Sequence, residues 1–230
     1  MRVEHIGLAT LYLGDCREVL PDLRGVICSD PPYGIAYKHS GKTGATSKAQ
    51  GSARVGQIAG DDKEFDPSEL LKFERVLMWG ANHYSHRLPK GKWLVWDKHC
   101  GIGPKVSFSP VEFAWMRGSG RNDIHRQLWI GLCRGKYTGD TRYHVMEKPI
   151  ELMSWCLDHL GVESADTVID PYMGSGTTGI AAIRRGSSFV GCEIDAGHFE
   201  TACKRIEDAQ RQASIFDQPA ARAEQHSLAL

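Results

Sequence analysis

The chain has 230 residues, with 28 basic and 28 acidic side chains, so its formal net charge is zero. Its hydrophobic and charged fractions, 41% and 24%, are those of an ordinary globular domain. No apolar run approaches the roughly 20 residues of a membrane span, and the N-terminus lacks the apolar core of a signal peptide. Seven cysteines without a C-x-x-C pair argue against a disulfide framework or a structural zinc site. We therefore expect a protein of a reducing cytoplasm, with no membrane contact and no metal.

The first half of the chain predicts buried strands separated by short helices and one long loop. We expect strands over residues 8–13, 26–29, 75–79, 93–96 and 111–116, and helices over 16–20 and 67–73. Residues 38–60 are rich in Gly, Ser, Lys and Thr without a hydrophobic period, which predicts a long functional or mobile loop.

The second half alternates helix and strand regularly. Apolar spacing predicts helices over 149–160, 177–185 and 198–211, and strands over 167–170 and 189–192. This alternation predicts an α/β fold with a mostly parallel sheet and helices on both faces. We expect one catalytic domain over 1–212 and a flexible tail over 213–230.

A glycine-rich turn lies between the predicted strand 167–170 and the helix after it. Gly174-Ser175-Gly176-Thr177-Thr178-Gly179 satisfies G-x-G-x-x-G in the context that this pattern requires. Glu193 ends the next predicted strand, where a carboxylate can bind the two hydroxyls of a ribose. The turn predicts an adenosine site, which either a dehydrogenase or a methyltransferase could use. A plain loop with glycines for turn geometry is the alternative.

Asp30-Pro31-Pro32-Tyr33 directly follows a predicted strand and can hold a planar amine. The exocyclic amine of adenine or cytosine is a weak nucleophile because its lone pair is conjugated with the ring. The Asp30 carboxylate and the Pro31 carbonyl can both accept its hydrogens, the prolines restrict the backbone, and Tyr33 can stack on the base. A type I turn without catalytic function is the alternative.

Together these two turns resemble motifs IV and I of the S-adenosylmethionine-dependent amino-group DNA methyltransferases. Gly14-Asp15-Cys16 resembles motif III, Lys148-Pro149 resembles motif X, and Glu193 matches motif II. The order III, IV, X, I, II is that of the β class, which implies a circularly permuted, Rossmann-like fold with a seven-stranded sheet. The resemblance implies that S-adenosylmethionine is bound by Asp15, Cys16, Lys148, Pro149, Asp170, Tyr172, Gly174, Ser175, Gly176, Thr177, Thr178 and Glu193.

Within that family, Asp at position 30 favours adenine N6 over cytosine N4, which stays the main alternative. Asp15, Asp30, Asp170 and Glu193 all follow or end predicted strands, so we expect them to converge on one crevice. A nicotinamide-dependent oxidoreductase would leave the Asp30 turn unexplained. A non-catalytic module that binds DNA or a sliding clamp is the alternative outside enzymes.

The target base must leave the duplex, which requires a surface that binds phosphate. Two basic stretches, 38–60 and 117–143, are candidate recognition loops with the residues Lys38, Lys42, Arg54, Arg121, Arg126, Lys136 and Arg142. Gln212 to Phe216 resembles the Q-x-x-[LI]-F peptides that bind sliding clamps, although a fraying helix end explains it as well. The family resemblance also implies that a homodimer can form.

Overall fold

The computed structural model describes residues 1–35, 60–101, 109–129 and 147–216. Within these ranges nine strands form one sheet in the order β1-β2-β9-β8-β3-β4-β6-β5-β7. Their bounds are β1 Arg2–Ile6, β2 Ala9–Leu13, β3 Val26–Ser29, β4 Arg75–Trp79, β5 Gly91–Asp97, β6 Val111–Arg117, β7 Asp123–Arg126, β8 Thr167–Asp170 and β9 Ser188–Glu193.

The centre of the sheet is parallel, as the sequence predicts. Strands β2, β9, β8, β3 and β4 run parallel to one another, whereas β6 is antiparallel to both β4 and β5. The Rossmann-like α/β class is confirmed, but the strand count is nine instead of seven. The two strands that the sequence did not predict are β1, which pairs antiparallel with β2, and β7, which pairs parallel with β5. Both lie at the edges of the sheet.

In the part of the chain that the structure describes, three α-helices lie on one face of the sheet. They are α1 Ile150–His159, α2 Thr177–Arg184 and α3 Ala196–Phe216. Along β4, Leu77 and Trp79 point into this layer, and the alternating residues Val76 and Met78 point to the other face. No helix in the described part of the chain is long and apolar enough to cross a membrane.

Among the described residues, the second face is covered by short 3-10 helices and carries no α-helix. These are Cys16–Glu18, Leu20–Asp22, Leu70–Lys72 and Ser85–Arg87. The predictions of helices over 16–20 and 67–73 were therefore wrong in type. Asp66 does accept hydrogen bonds from the backbone and hydroxyl of Ser68, but the segment ends after a single 3-10 turn.

The position of β8 determines where a ligand can bind. It lies between β9 and β3, so the chain leaves it in one direction through α2 to β9, while β3 and β4 continue the sheet in the other. Ligands of open α/β sheets bind at such a switch point, beyond the carboxyl ends of the strands. A strand late in the chain thus occupies the sheet centre, which agrees with the predicted circular permutation.

A buried carboxylate ties the two turns at this switch point to each other. Asp170 ends β8 and is only 2% exposed. It accepts hydrogen bonds from the hydroxyl of Ser29 at the end of β3, from the hydroxyl of Thr178 in α2 (both 2.6 Å), and from the backbone N–H of Tyr172 (3.1 Å). One side chain therefore joins two strands, a helix and a turn.

Burial raises the pKa of Asp170 to about 6, although the hydrogen bonds from Ser29 and Thr178 favour the charged form. A carboxyl group whose pKa is higher in the folded state makes the protein less stable as the pH rises through the interval between the two pKa values. We expect the free energy of unfolding to fall by about 1–3 kcal/mol between pH 4 and 6 because of this group. Urea unfolding of Asp170→Asn, which cannot titrate, should lack this decrease.

Asp166→Asn is the matched control because the pKa of Asp166 is shifted in the opposite direction from that of Asp170. The hydrogen bond from Arg75 lowers the pKa of Asp166. Its contribution to stability is present above the unfolded pKa and is lost as the pH falls, so replacing it should cost more at pH 6 than at pH 4. If the Asp170→Asn and wild-type curves of stability against pH run parallel, the assignment to Asp170 is wrong.

Candidate active site

The carboxyl edge of the sheet brings together residues from several strand ends. Asp15 follows β2, Glu193 ends β9, Asp170 ends β8 and Asp30 follows β3. The backbone N–H of Gly14 donates to the carbonyl of Glu193 (2.9 Å), which aligns the two outer turns. The four acidic residues therefore share one edge, as expected, but Asp170 is buried beneath it and only the other three are partly exposed.

The Asp30 carboxylate is held at both of its oxygens. The hydroxyl of Tyr33 donates to Oδ1 at 2.5 Å, and the ammonium of Lys148 forms an ion pair with Oδ2. Pro31 is buried beside it, and Pro32 and Tyr33 are half-buried. Burial, together with the neighbouring Asp30 charge, raises the pKa of Tyr33 well above its usual value, so its hydroxyl stays a donor.

Lys148 is a buried cation between two carboxylates, a feature that sequence reasoning missed. Its side chain is 7% exposed, and besides its ion pair with Asp30 its Nζ lies 3.2 Å from Oε2 of Glu112. Glu112 is the second residue of β6 and also forms an ion pair with Lys98 at 2.9 Å. Burial would lower the pKa of Lys148, but the charges of Asp30 and Glu112 outweigh this effect, so the pKa of Lys148 is raised. The ring of Trp79 lies 5.4 Å from the same ammonium.

Two residues that no motif indicated, Asp61 and Gly80, also help to fix the Asp30 turn. Asp61 is 2% exposed and accepts hydrogen bonds from the backbone N–H groups of Gly34 (2.9 Å) and Ile35 (3.2 Å). Gly80 follows β4, and a Cβ there would lie 1.9 Å from the ring of Tyr33. Glycine at this position is therefore required for the ring to occupy its place. The exposed ring of His83 stacks on Tyr33 at 5.2 Å.

The glycine turn takes a conformation that only glycine adopts easily. Gly174 has φ +52° and Gly176 has φ +82°, and Gly176 precedes the first turn of α2. The N–H of Gly174 donates to Oε2 of Glu193 (2.9 Å), and Oε1 of Glu193 accepts from the N–H of Asp195 (2.8 Å). The turn and the carboxylate predicted to bind ribose are thus fixed to each other.

The hydroxyls of this turn have partners inside the protein. Arg205, on α3, donates to the carbonyl and hydroxyl of Ser175 (both 2.8 Å) and to Thr177 (3.3 Å), and it pairs with Glu147 at 2.5 Å. Thr178 donates to Asp170. These hydroxyls therefore already take part in hydrogen bonds within the protein. Cofactor contact by these residues stays a prediction that would depend on their backbone N–H groups.

Three further residues predicted to bind the cofactor lie around the outer turns. Asp15 accepts from the backbone and guanidinium of Arg17, whose hydrogen bonds lower its pKa. Cys16 is buried and forms a hydrogen bond with Tyr172, and burial raises the pKa of both groups. Pro149 is buried before α1. Their contact with a cofactor stays a prediction.

The chemistry of this turn fits S-adenosylmethionine. A Cβ at Gly174 would meet nothing within 4 Å, so the turn borders open space. Beside that space lie the positive end of the α2 dipole, which suits a carboxylate, and the half-buried carboxylate of Glu193, which suits ribose hydroxyls.

Two of the seven candidate DNA-contact residues, Arg121 and Arg126, lie in the described part of the chain. Arg126 ends β7 opposite Asp97, at the same sheet edge as Asp30, and is exposed. Arg121 is exposed before the start of β7, towards the opposite edge, so the fold does not bring it near the site. Outside the described residues lie Lys38, Lys42, Arg54, Lys136 and Arg142. Gln212 is exposed on α3, and the clamp-binding prediction otherwise concerns side chains outside the described set.

Comparisons with known proteins agree with this geometry. The family model for N6/N4 DNA methylases matches residues 112–204. A protein of Escherichia coli named "Putative methylase YubD" is 28% identical over 220 residues, covering 86% of this chain and 90% of its own. The type II methyltransferase M.HindIII of Haemophilus influenzae is 39% identical over 67 residues, 29% of this chain and 21% of its own.

Solved structures show the same fold. M1.HpyAVI in complex with S-adenosylmethionine has a TM-score of 0.54 at 19% identity, covering 86% of this chain and 98% of its own. The cytosine-N4-specific PvuII DNA methyltransferase has a TM-score of 0.53 at 12% identity, covering 90% and 93%. Residues 112–204 therefore resemble the N6/N4 DNA methylases, and the chain shares its fold with these solved methyltransferases, one of which binds S-adenosylmethionine.

Proposed function

We propose that this protein transfers a methyl group to the N6 amine of an adenine flipped out of DNA. The observation that carries the proposal is the position of Asp30. Its carboxylate lies beyond the end of β3, the strand next to the glycine turn of β8, and Ser29 immediately before it is hydrogen-bonded to Asp170 at the start of that turn. An amine acceptor and a cofactor turn are thus held as one unit.

The role of Asp30 is to accept a hydrogen bond from the target amine. Together with the Pro31 carbonyl, the carboxylate would draw the amine towards a tetrahedral geometry and free its lone pair for attack. S-adenosylmethionine supplies a methyl group that is already activated on a sulfonium. The remaining contribution of the protein is in-line positioning, which can lower a barrier by several kcal/mol. The methylated amine is acidic, so its proton passes readily to Asp30 or to water.

The Tyr33 ring is the proposed stacking surface for the flipped base. Gly80 and the Asp30 hydrogen bond fix the ring, so it does not have to be ordered when the base arrives. Flipping costs a few kcal/mol, which phosphate contacts must offset. Arg126, at the same sheet edge, and the stretches 38–60 and 117–143 are the proposed source of these contacts, within one catalytic domain over 1–212.

Aspartate at position 30 favours adenine over cytosine in enzymes of this kind, and cytosine N4 is the second candidate because the amine chemistry is shared. The fold does not exclude cytosine, since the cytosine-N4-specific PvuII enzyme shares it. Methylating DNA with the purified protein, digesting it and identifying the modified nucleoside should yield N6-methyladenine. N4-methylcytosine as the product would contradict the proposed base but leave the role of Asp30 in place.

Asp30→Ala should abolish methyl transfer because it removes the amine acceptor. Binding of S-adenosylmethionine should change little, since the glycine turn is held through Asp170, Glu193 and Arg205 instead. Tritiated methyl transfer to DNA and calorimetric titration with the cofactor measure the two effects separately. Asp22→Ala, which removes an exposed carboxylate elsewhere, is the matched control and should keep full activity. Full activity of Asp30→Ala would reject the assigned role.

A further inference from the structure

Lys148 is a buried cation beside the proposed catalytic turn, and binding of the cofactor does not explain where its side chain points. Its ammonium forms an ion pair with Oδ2 of Asp30 and lies 3.5 Å from the hydroxyl of Tyr33. A cation that is 7% exposed needs paired anions, because desolvation costs several kcal/mol per ion. Asp30 provides one of these anions and Glu112 the other.

Glu112 connects this pair to a second cation. Its Oε2 lies 3.2 Å from Lys148, and its Oε1 lies 2.9 Å from Lys98, whose side chain is 13% exposed. The charges alternate from Lys98 after β5, to Glu112 on β6, to Lys148 before α1, to Asp30 after β3. Four separate segments of the chain thus meet in one partly buried row of ions, with no local sequence signal.

We propose that Glu112 is a positioning residue for methyl transfer, which keeps the Lys148 ammonium against Oδ2 and so fixes the plane of the Asp30 carboxylate. This inference rests on the proposed function. Tyr33 holds Oδ1 from the other side, so the carboxylate is constrained at both oxygens and presents its remaining lone pairs in a fixed direction. Glu112 itself contacts neither base nor cofactor in this role and acts through Lys148.

The proposal has a consequence for the pH dependence of catalysis. Among the described residues, the groups that face Lys148 are Asp30, Tyr33, Glu112 and the uncharged ring of Trp79, with Lys98 behind Glu112. Burial alone would lower the pKa of Lys148, and the two carboxylates together raise it. Without the Glu112 charge, one carboxylate remains against the same burial, so the pKa must fall. Lys148 then loses its proton, and its hold on Asp30, at a lower pH.

The test compares Glu112→Gln, which keeps the shape but not the charge, with Glu112→Asp, which keeps the charge. We expect kcat of the Gln variant to fall by about tenfold or more, since small misplacements of a catalytic group are costly. Its KM for DNA and its Kd for S-adenosylmethionine should stay within about twofold. The alkaline decline of kcat should begin at a lower pH than in the wild type, and the Asp variant should move it back.

Glu69→Gln is the control, because Glu69 carries the same charge in an exposed pair with Lys72 and should leave every parameter unchanged. Calorimetric cofactor binding verifies that each variant is folded. Wild-type kcat in Glu112→Gln, an unshifted alkaline limb, or an Asp variant that behaves like Gln would each overturn the proposal while the proposed function stands. A wild-type protein that binds cofactor but methylates neither base amine would instead overturn the proposed function and this role with it.

Discussion

The hydrogen bond from Ser29 to Asp170 is the interaction on which the rest of the site depends. The two residues are 141 positions apart in the chain and lie on adjacent parallel strands at their carboxyl ends. Asp30 follows the donor directly, and the glycine turn follows the acceptor. Because Ser29 is fully buried and Asp170 nearly so, water does not compete for this bond, and its loss would leave a buried carboxylate short of a partner.

Around this bond, burial and charge determine how rigid the site is. Desolvation of the anion Asp30 and of the cation Lys148 each costs free energy, and the attraction between the two charges offsets this cost. Tyr33 adds a donor whose own ring position depends on Gly80. A site assembled in this way is ordered before any ligand arrives, so little conformational entropy is lost on binding. The same coupling means that truncation of one member leaves an uncompensated charge, which costs more than the contact itself.

The parts of the site that sequence reasoning found are those with local signals. Asp30 to Tyr33 and the turn around Gly174 lie directly after buried strands, where residue type and spacing carry the chemistry. Glu112, Asp61 and Gly80 were missed because each acts on a turn that is distant in sequence. The strands β1 and β7 were missed because both lie at sheet edges, where Arg2–Ile6 and Asp123–Arg126 keep polar, largely exposed residues.

The four ions that position Asp30 carry no net charge, so they cannot also attract a phosphate backbone. Lys98, Glu112, Lys148 and Asp30 sum to zero, so this row of ions offers no net attraction to phosphate. The whole chain is neutral as well, which means that long-range steering towards a polyanion has no source in the bulk charge. Any attraction to phosphate must then come from individual exposed cations such as Arg126, which lies at the carboxyl ends of the strands and is strongly screened by salt. The ions that position Asp30 and the residues that would attract phosphate are therefore different sets.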